Sequence, residues 1–244
     1  MTLPLFAFAV IVLAAYAVQT TTGFGSMILC VTLGAHLLSL EHVLSIAVPL
    51  SLVQNAYIVL RHRDGIDWKL LLGSVLPLMG AGAIFTLTLF GNLDAPWLRT
   101  AFALMVLGLS VRELARQFRP GANHAPPSKW VGRASLLGAG MIHGLYATGG
   151  PLLVYAIGRS GLSKHVFRST VTTVWLVLNS LLCVAYARVG RLDKAVLESV
   201  LWVLPAVPLG IWVGEVLHRK VDEHRFRIVV FLVLMVAAVA LLIR

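Results

Sequence analysis

Long apolar runs separated by short polar or charged stretches divide the chain from end to end. This pattern predicts ten hydrophobic segments, at approximately 3–18, 24–38, 43–61, 69–89, 97–118, 131–146, 150–160, 166–187, 194–213 and 226–243. Six of them reach about 18 residues, which is enough for an α-helix to cross the apolar core of a bilayer. The sequence therefore predicts an all-α polytopic membrane protein.

The four shorter segments flank two stretches that are poorly suited to a continuous helix. Residues 20–26 read TTTGFGS and residues 146–151 read YATGGP. Gly and Pro weaken or break helices, and in lipid the freed backbone groups need partners in protein, water or solute. Each pair of short segments is therefore interpreted as a broken or re-entrant helix pair. The two breaks are interpreted as two halves of one binding site.

The two halves of the chain resemble each other at a nearly constant offset. Asn179 follows Asn55 by 124 residues, and Pro205 follows Pro77 by 128. Each half holds five segments, an odd number, so the second half must enter the membrane from the opposite side. The prediction is an inverted repeat. It has three parts, a first membrane repeat at 1–118, a linker at 119–130 and a second membrane repeat at 131–244.

Charge sets the expected orientation. The net charge of +10 would favour nucleic acid in a soluble protein, but the basic residues here lie between or at the ends of apolar runs. Fifteen of the twenty fall on one side if the 61–69 loop is inside. The positive-inside rule then predicts a multi-pass membrane protein with both termini outside. The expected partners are the lipid bilayer and a small anionic substrate, with no nucleic acid; a homo-oligomer stays open.

Polar residues at membrane depth indicate what the site binds. No acidic residue lies at the centre of an apolar run, which disfavours a cation pathway. Neutral donors and half-helix N-termini at the breaks favour a small oxyanion instead. The candidate substrate-binding residues are Thr21, Thr22, Gly23, Gly25, Ser26, Asn55, Thr148, Gly149, Gly150, Asn179 and Arg168. For the small residues and the asparagines, helix packing and interhelical hydrogen bonds are the alternative interpretation.

His143 is the histidine well inside an apolar run, next to the second break, and is a candidate for a coupling proton. A structural histidine is the competing interpretation. Ser26 and His143 could also be a nucleophile and base of an intramembrane enzyme, but the motif order and the missing carboxylate disfavour that. The sequence thus predicts a secondary transporter and no enzyme, with an anion channel as the alternative. It predicts no catalytic residues, metal or cofactor.

Three motifs carry a resemblance to a known family. They are GFG at 23–25, GLYATGGP at 144–151 and FRST at 167–170. With them the whole chain resembles the TauE/SafE sulfite exporter family, although Ser26-Met27 stands where members often have more glycines and a proline. The resemblance implies an integral plasma-membrane permease for sulfur-containing anions such as sulfite, sulfonates, sulfoacetate or thiosulfate. It leaves the anion and the direction of transport open.

Overall fold

The computed structural model describes residues 3–89 and 128–220 except residue 159, with isolated positions between 100 and 115 and between 222 and 242. Within those residues all regular structure is helical. The helices are α1 Leu3–Thr22, α2 Ser26–Gly34, α3 Leu40–Arg61, α4 Trp68–Leu89, α5 Lys129–Tyr146, α6 Gly150–Ile157, α7 Lys164–Arg188, α8 Lys194–Val203 and α9 Ala206–Lys220. The predicted segments 97–118 and 226–243 and most of the linker lie outside the described residues.

Four of these helices, α1, α3, α4 and α7, are long and apolar enough to cross a membrane, and α8 with α9 would make a fifth span. Large apolar side chains also face outwards, including Leu201 at 66% and Trp212 at 68% exposure. Such a surface suits lipid and is unusual for a soluble monomer. The prediction of an all-α polytopic membrane protein is confirmed.

The predicted segment 194–213 is wrong in detail. The structure has two helices there, α8 and α9, with a bend of 41° between them. Pro205 lies in the two-residue break and has no backbone N–H to continue the ladder of the preceding helix. The second helix also extends to Lys220, beyond the predicted end.

The first helix is longer than predicted as well. Segment 3–18 was expected to end before the threonines, but α1 continues through Thr22. The hydroxyls of Thr21 and Thr22 donate to the carbonyls of Ala17 and Val18, one turn earlier, so these residues satisfy their polar groups inside the helix. The first break is therefore confined to residues 23–25, where Gly23 takes a φ of 90°.

Helices of one half pack against helices of the other. The first helix α1 lies along α9, and α4 lies along α5, with glycines at both contacts. A Cβ on Gly210 would lie 2.8 Å from the Leu13 carbonyl, and one on Gly82 would lie 2.2 Å from the Leu137 carbonyl. Because Leu137 follows Leu13 by 124 residues and Gly210 follows Gly82 by 128, one backbone contact recurs at the sequence offset.

Helix α3 of the first half and helix α7 of the second half also pack against each other. The backbone N–H of Asp67, after the end of α3, donates to Thr170 near the start of α7. Farther along α7, Asn179 donates to Ser51 near the middle of α3. Residue numbers of the contacting residues fall along α3 as they rise along α7, so the two helices are antiparallel. An inverted repeat requires this of equivalent helices, and the orientation of each half in a bilayer stays a prediction.

Among the described residues, the apolar interior forms two clusters, and each contains a residue of one break. Phe24 of the first break lies among side chains of α4 to α7. Ala147 of the second break lies among side chains of α1 to α3 and α7 to α9. The two breaks are therefore held at the junction of the two cores.

Candidate functional site

Both breaks end one helix and start another without a side-chain cap. Gly25, with a φ of 102°, precedes α2, and Gly149 precedes α6; neither new helix has a side chain bonded to its first turn as an N-cap. The first N–H groups of a helix have no partner within it and carry a partial positive charge. The two half-helices thus offer donors and positive potential at the breaks.

The two breaks meet at one small cavity of about 20 Å³. Its lining comes from both halves and consists of Gln19, Gly25, Met27, Ile28, Ala147, Thr148, Gly150, Trp175 and Asn179. Of the predicted site residues, the structure therefore brings Gly25, Thr148, Gly150 and Asn179 to one place. The volume corresponds to room for about one water, which is less than an oxyanion needs.

A chain of polar side chains from the first half runs behind the cavity. The hydroxyl of Ser26 donates to Oε1 of Gln19, and Nε2 of Gln19 donates to Oδ1 of Asn55 at 2.6 Å. All three residues are buried. The Nδ2 group of Asn55 has no hydrogen-bond partner within the described part of the chain. The amide group of Asn55 is thus a buried hydrogen-bond donor beside the site that could bond to a ligand.

Asn179 supplies the equivalent amide from the second half. Its Nδ2 donates to Ser51 Oγ at 2.8 Å, while Ser51 donates its own proton to the Val48 carbonyl at 2.6 Å. Because the Ser51 oxygen can then only accept, Asn179 must present its NH₂ to Ser51 and its oxygen to the other side. That oxygen has no partner among the described residues.

His143 lies directly behind the cavity wall. Its ring stacks on Trp175, with centroids 5.3 Å apart and an interplanar angle of 18°. The residue is fully buried, and neither ring nitrogen has a hydrogen-bond partner within the described residues. Since the Ser26 hydroxyl is bonded to Gln19, Ser26 and His143 do not form the hydrogen bond that a nucleophile and its base need.

Arg168 lies in an ion pair rather than at the cavity. It is 1% exposed, and its Nη1 donates to the Thr20 carbonyl at 3.0 Å and to Glu215 Oε1 at 3.0 Å. Glu215 also lies 3.1 Å from His62 Nε2. Burial, and then the charge of Arg168, lower the pKa of His62, although Glu215 acts in the opposite direction.

The carbonyls at the end of α1 are satisfied by side chains of the second half. Arg168 donates to Thr20, His218 Nδ1 lies 2.7 Å from the Thr21 carbonyl, and Trp175 Nε1 donates to the Gly23 carbonyl at 2.9 Å. A broken helix in lipid requires such partners. The first break is thereby fixed to α7 and α9.

Several predicted site residues form hydrogen bonds or close contacts with the backbone of neighbouring residues and do not line the cavity. The Thr21 hydroxyl also lies 3.2 Å from the Gly214 carbonyl, and the Thr22 hydroxyl also lies 2.8 Å from the Phe24 carbonyl. Glycine is needed at two positions because a Cβ would lie 3.0 Å from the Arg168 Cα at position 23 and 2.3 Å from the Ala139 carbonyl at position 149.

Sequence reasoning missed three residues that fix the site. These are Trp175, Glu215 and His218, none of which is among the candidate site residues predicted from the sequence. Trp175 had a detectable signal, because it lies four residues before Asn179 and so shares its helix face. Among the described residues no group of three or more His, Cys, Asp or Glu side chains could hold a metal.

Comparison with known proteins gives the chain a family context. Residues 7–241 match the family described as sulfite exporter TauE/SafE. The chain is also 30% identical over 166 residues to the probable inner membrane transporter protein TsaS of Comamonas testosteroni. That alignment covers 66% of this chain and 66% of the relative, just under two thirds of its length. No solved structure matches the chain.

Proposed function

The chain belongs to the sulfite exporter TauE/SafE family, and on that premise we propose that it is a secondary transporter for a small sulfur-containing oxyanion. Sulfite, a sulfonate and thiosulfate are the candidate substrates. The observation that carries the proposal is the meeting of the two breaks, one from each half, at a single cavity. Two uncapped half-helix N-termini and neutral amide and hydroxyl groups surround that cavity.

An anion is favoured by the charges near the site. The neutral lining supplies N–H and O–H donors, and helix N-termini stabilise negative charge. Glu215, the acidic residue next to the first break, is neutralised by Arg168 at 3.0 Å and does not line the cavity. A cation would find no carboxylate in this lining, while an oxyanion could accept from Thr148, from Gln19 and from the helix termini.

The size of the cavity favours a carrier over a channel. A pore must be continuously wide enough for its ion, whereas the space of about 20 Å³ admits about one water. The substrate would enter when the packed halves move apart and would leave from the other side after they move back. This is alternating access around a fixed site, as in other inverted-repeat transporters.

His143 is proposed as the site of a coupling proton. It is fully buried, its ring nitrogens have no hydrogen-bond partner within the described residues, and its ring stacks on Trp175, which lines the cavity. A buried imidazolium is unfavourable unless a negative charge lies close by. An oxyanion in the cavity would supply that charge, so proton and anion would bind together.

Transport by the purified full chain in liposomes tests the proposal. A panel of sulfite, thiosulfate, a sulfonate, sulfate and acetate should show saturable uptake of at least one of the first three. Preloaded unlabelled anion should accelerate uptake of labelled anion, as carriers do and channels do not. A pH gradient should drive uptake in the wild type and lose its effect in His143→Gln. If no sulfur-containing anion moves, the proposed function is wrong.

A further inference from the structure

A second recess lies on the outer surface of the helices, away from the cavity between the breaks. It is a groove of about 420 Å³ between α3 and α9. Its main lining residues are Tyr57, Arg61, Trp212, Glu215, Val216 and Arg219. Trp212 is 68% exposed, so the groove is continuous with the surface that faces lipid. None of the residues that line this groove lines the cavity between the breaks.

The groove is amphipathic along its length. Both α3 and α9 run parallel to α1, because contacts along each pair rise together in residue number. Arg61 and Arg219 lie in the last turns of these two helices and therefore at the same end of the groove. Trp212 lies seven residues before Arg219, which corresponds to about 10 Å along a helix. One end is therefore cationic and the other end is aromatic and aliphatic.

The cationic end carries net positive charge. Neither Arg61 nor Arg219 has an ion-pair partner among the described residues. Glu215, the acidic residue of the lining, is already paired with Arg168 at 3.0 Å and His62 at 3.1 Å. Two guanidinium groups thus remain available to an anionic ligand at the end of an apolar groove.

We propose that this groove binds an anionic phospholipid, with the headgroup phosphate between Arg61 and Arg219 and an acyl chain along Trp212. The chemistry fits on three counts: the groove opens to lipid, its charge is at one end, and its apolar length begins about one to two helical turns away. Both arginines fall on the predicted inner side, where basic pockets between helices meet anionic headgroups. A free phosphate would leave the apolar part of the groove exposed.

Native mass spectrometry of the purified full chain in detergent tests this with two lipids of equal chain length. Phosphatidylglycerol should be retained on the wild type, and phosphatidylcholine should bind much more weakly. The double variant Arg61→Gln/Arg219→Gln should bind phosphatidylglycerol about thirty-fold more weakly, because each arginine near an anionic headgroup contributes a several-fold factor. The matched control is Arg63→Gln/Lys69→Gln, which removes two exposed charges on the same predicted side outside the groove.

Inorganic phosphate distinguishes a lipid site from a simple anion site. Millimolar phosphate should leave phosphatidylglycerol binding unchanged. Equal retention of the two lipids by the wild type would overturn the proposal without reference to any variant. Displacement of the lipid by phosphate, or an equal loss in the control variant, would also overturn it.

Discussion

The two breaks occupy equivalent places in the two halves but are held in different ways. At the first break, side chains of the second half bond to the carbonyls at the end of α1, and Arg168 makes the charged contact. The residue 124 positions before Arg168 is Leu44, a buried apolar side chain that cannot donate a hydrogen bond. Among the described residues, this charged contact is thus a feature of the first break.

The second break is instead defined by close backbone packing. Ala147 is left-handed at φ 53°, at the position equivalent to Gly23. A Cβ at position 149 would collide with the Ala139 carbonyl at 2.3 Å, and one at position 144 would lie 2.9 Å from the Ala83 carbonyl. The difference teaches that two breaks at the same sequence offset can each join two half-helices although a charged contact stabilises one and close backbone packing the other. It also leaves the shared cavity free of charged side chains.

The largest expected effect is the loss of Arg168. Arg168→Met would leave Glu215 in a largely buried place without its cation and the Thr20 carbonyl without a donor. Breaking a buried pair in this way costs about 3–5 kcal/mol, and removing both partners costs much less. Denaturant unfolding in detergent should show that loss for Arg168→Met, a substantial recovery for Arg168→Met/Glu215→Met, and little change for the exposed Arg188→Met. A double variant less stable than the single would contradict this assignment.

Helix contacts equivalent in the two halves should differ in their tolerance of a methyl group. Gly82→Ala places a Cβ 2.2 Å from a carbonyl oxygen and Gly210→Ala places one 2.8 Å away. Overpacking of this kind costs about 1–3 kcal/mol and sometimes more, so the first variant should lose about 3 kcal/mol and the second about 1 kcal/mol. Gly80→Ala, with open space at its Cβ, should be neutral or slightly stabilised. The reverse order of the two losses would mean that the helix packing is misassigned.

Exchanging the residue types at the turn of each break tests the comparison directly. Gly23→Ala should lose about 2 kcal/mol, since position 23 has a positive φ and its Cβ would lie 3.0 Å from the Arg168 Cα. Ala147→Gly should change stability by less than about 1 kcal/mol, because relief of the left-handed strain is offset by greater freedom of the unfolded chain. Thermal unfolding of both variants measures the difference. Equal losses would show that the two turns are equally strained.

The smallest expected effect is a pH dependence of stability that comes from His62, which contacts Glu215 near the first break. The folded protein lowers the pKa of His62 below the ordinary value near 6.5. The unfolded chain then binds the proton more readily, so stability is complete above about pH 6.5 and falls as the pH drops from there toward the folded pKa. His62→Gln should reduce the slope of stability against pH in this window. An unchanged slope would assign the pH dependence to other groups.

The sequence predicted the features that depend on local composition. Apolar runs identified the described spans, and the glycines of GFG and of ATGG located both breaks to within a few residues. The threonines misled the prediction because a residue such as Thr21 can bond its own helix backbone as well as a ligand. Local pattern could not distinguish these two uses.

Contacts between distant residues were beyond the sequence pattern. Arg168 and Glu215 are 47 positions apart; Arg168 was expected as a substrate ligand, and no sequence pattern linked it to Glu215. Only the packing of α7 and α9 against α1 brings them to the Thr20 carbonyl. Trp175 likewise became part of the site because its indole reaches Gly23, 152 positions away. The correspondence in position between Asn55 and Asn179 was visible in the sequence because the two halves resemble each other at a nearly constant offset.

The central claim is that both breaks contribute to one anion site, and the apparent affinity of uptake in liposomes tests it most directly. Gln19→Met changes the lining beside the first break, Thr148→Val changes it at the second, and the exposed Thr88→Val is the control. Losing a hydrogen bond to a charged ligand should weaken affinity about ten-fold or more. The account predicts that loss for both cavity variants and none for Thr88→Val. Normal affinity in either cavity variant, with the other impaired, would contradict a shared site.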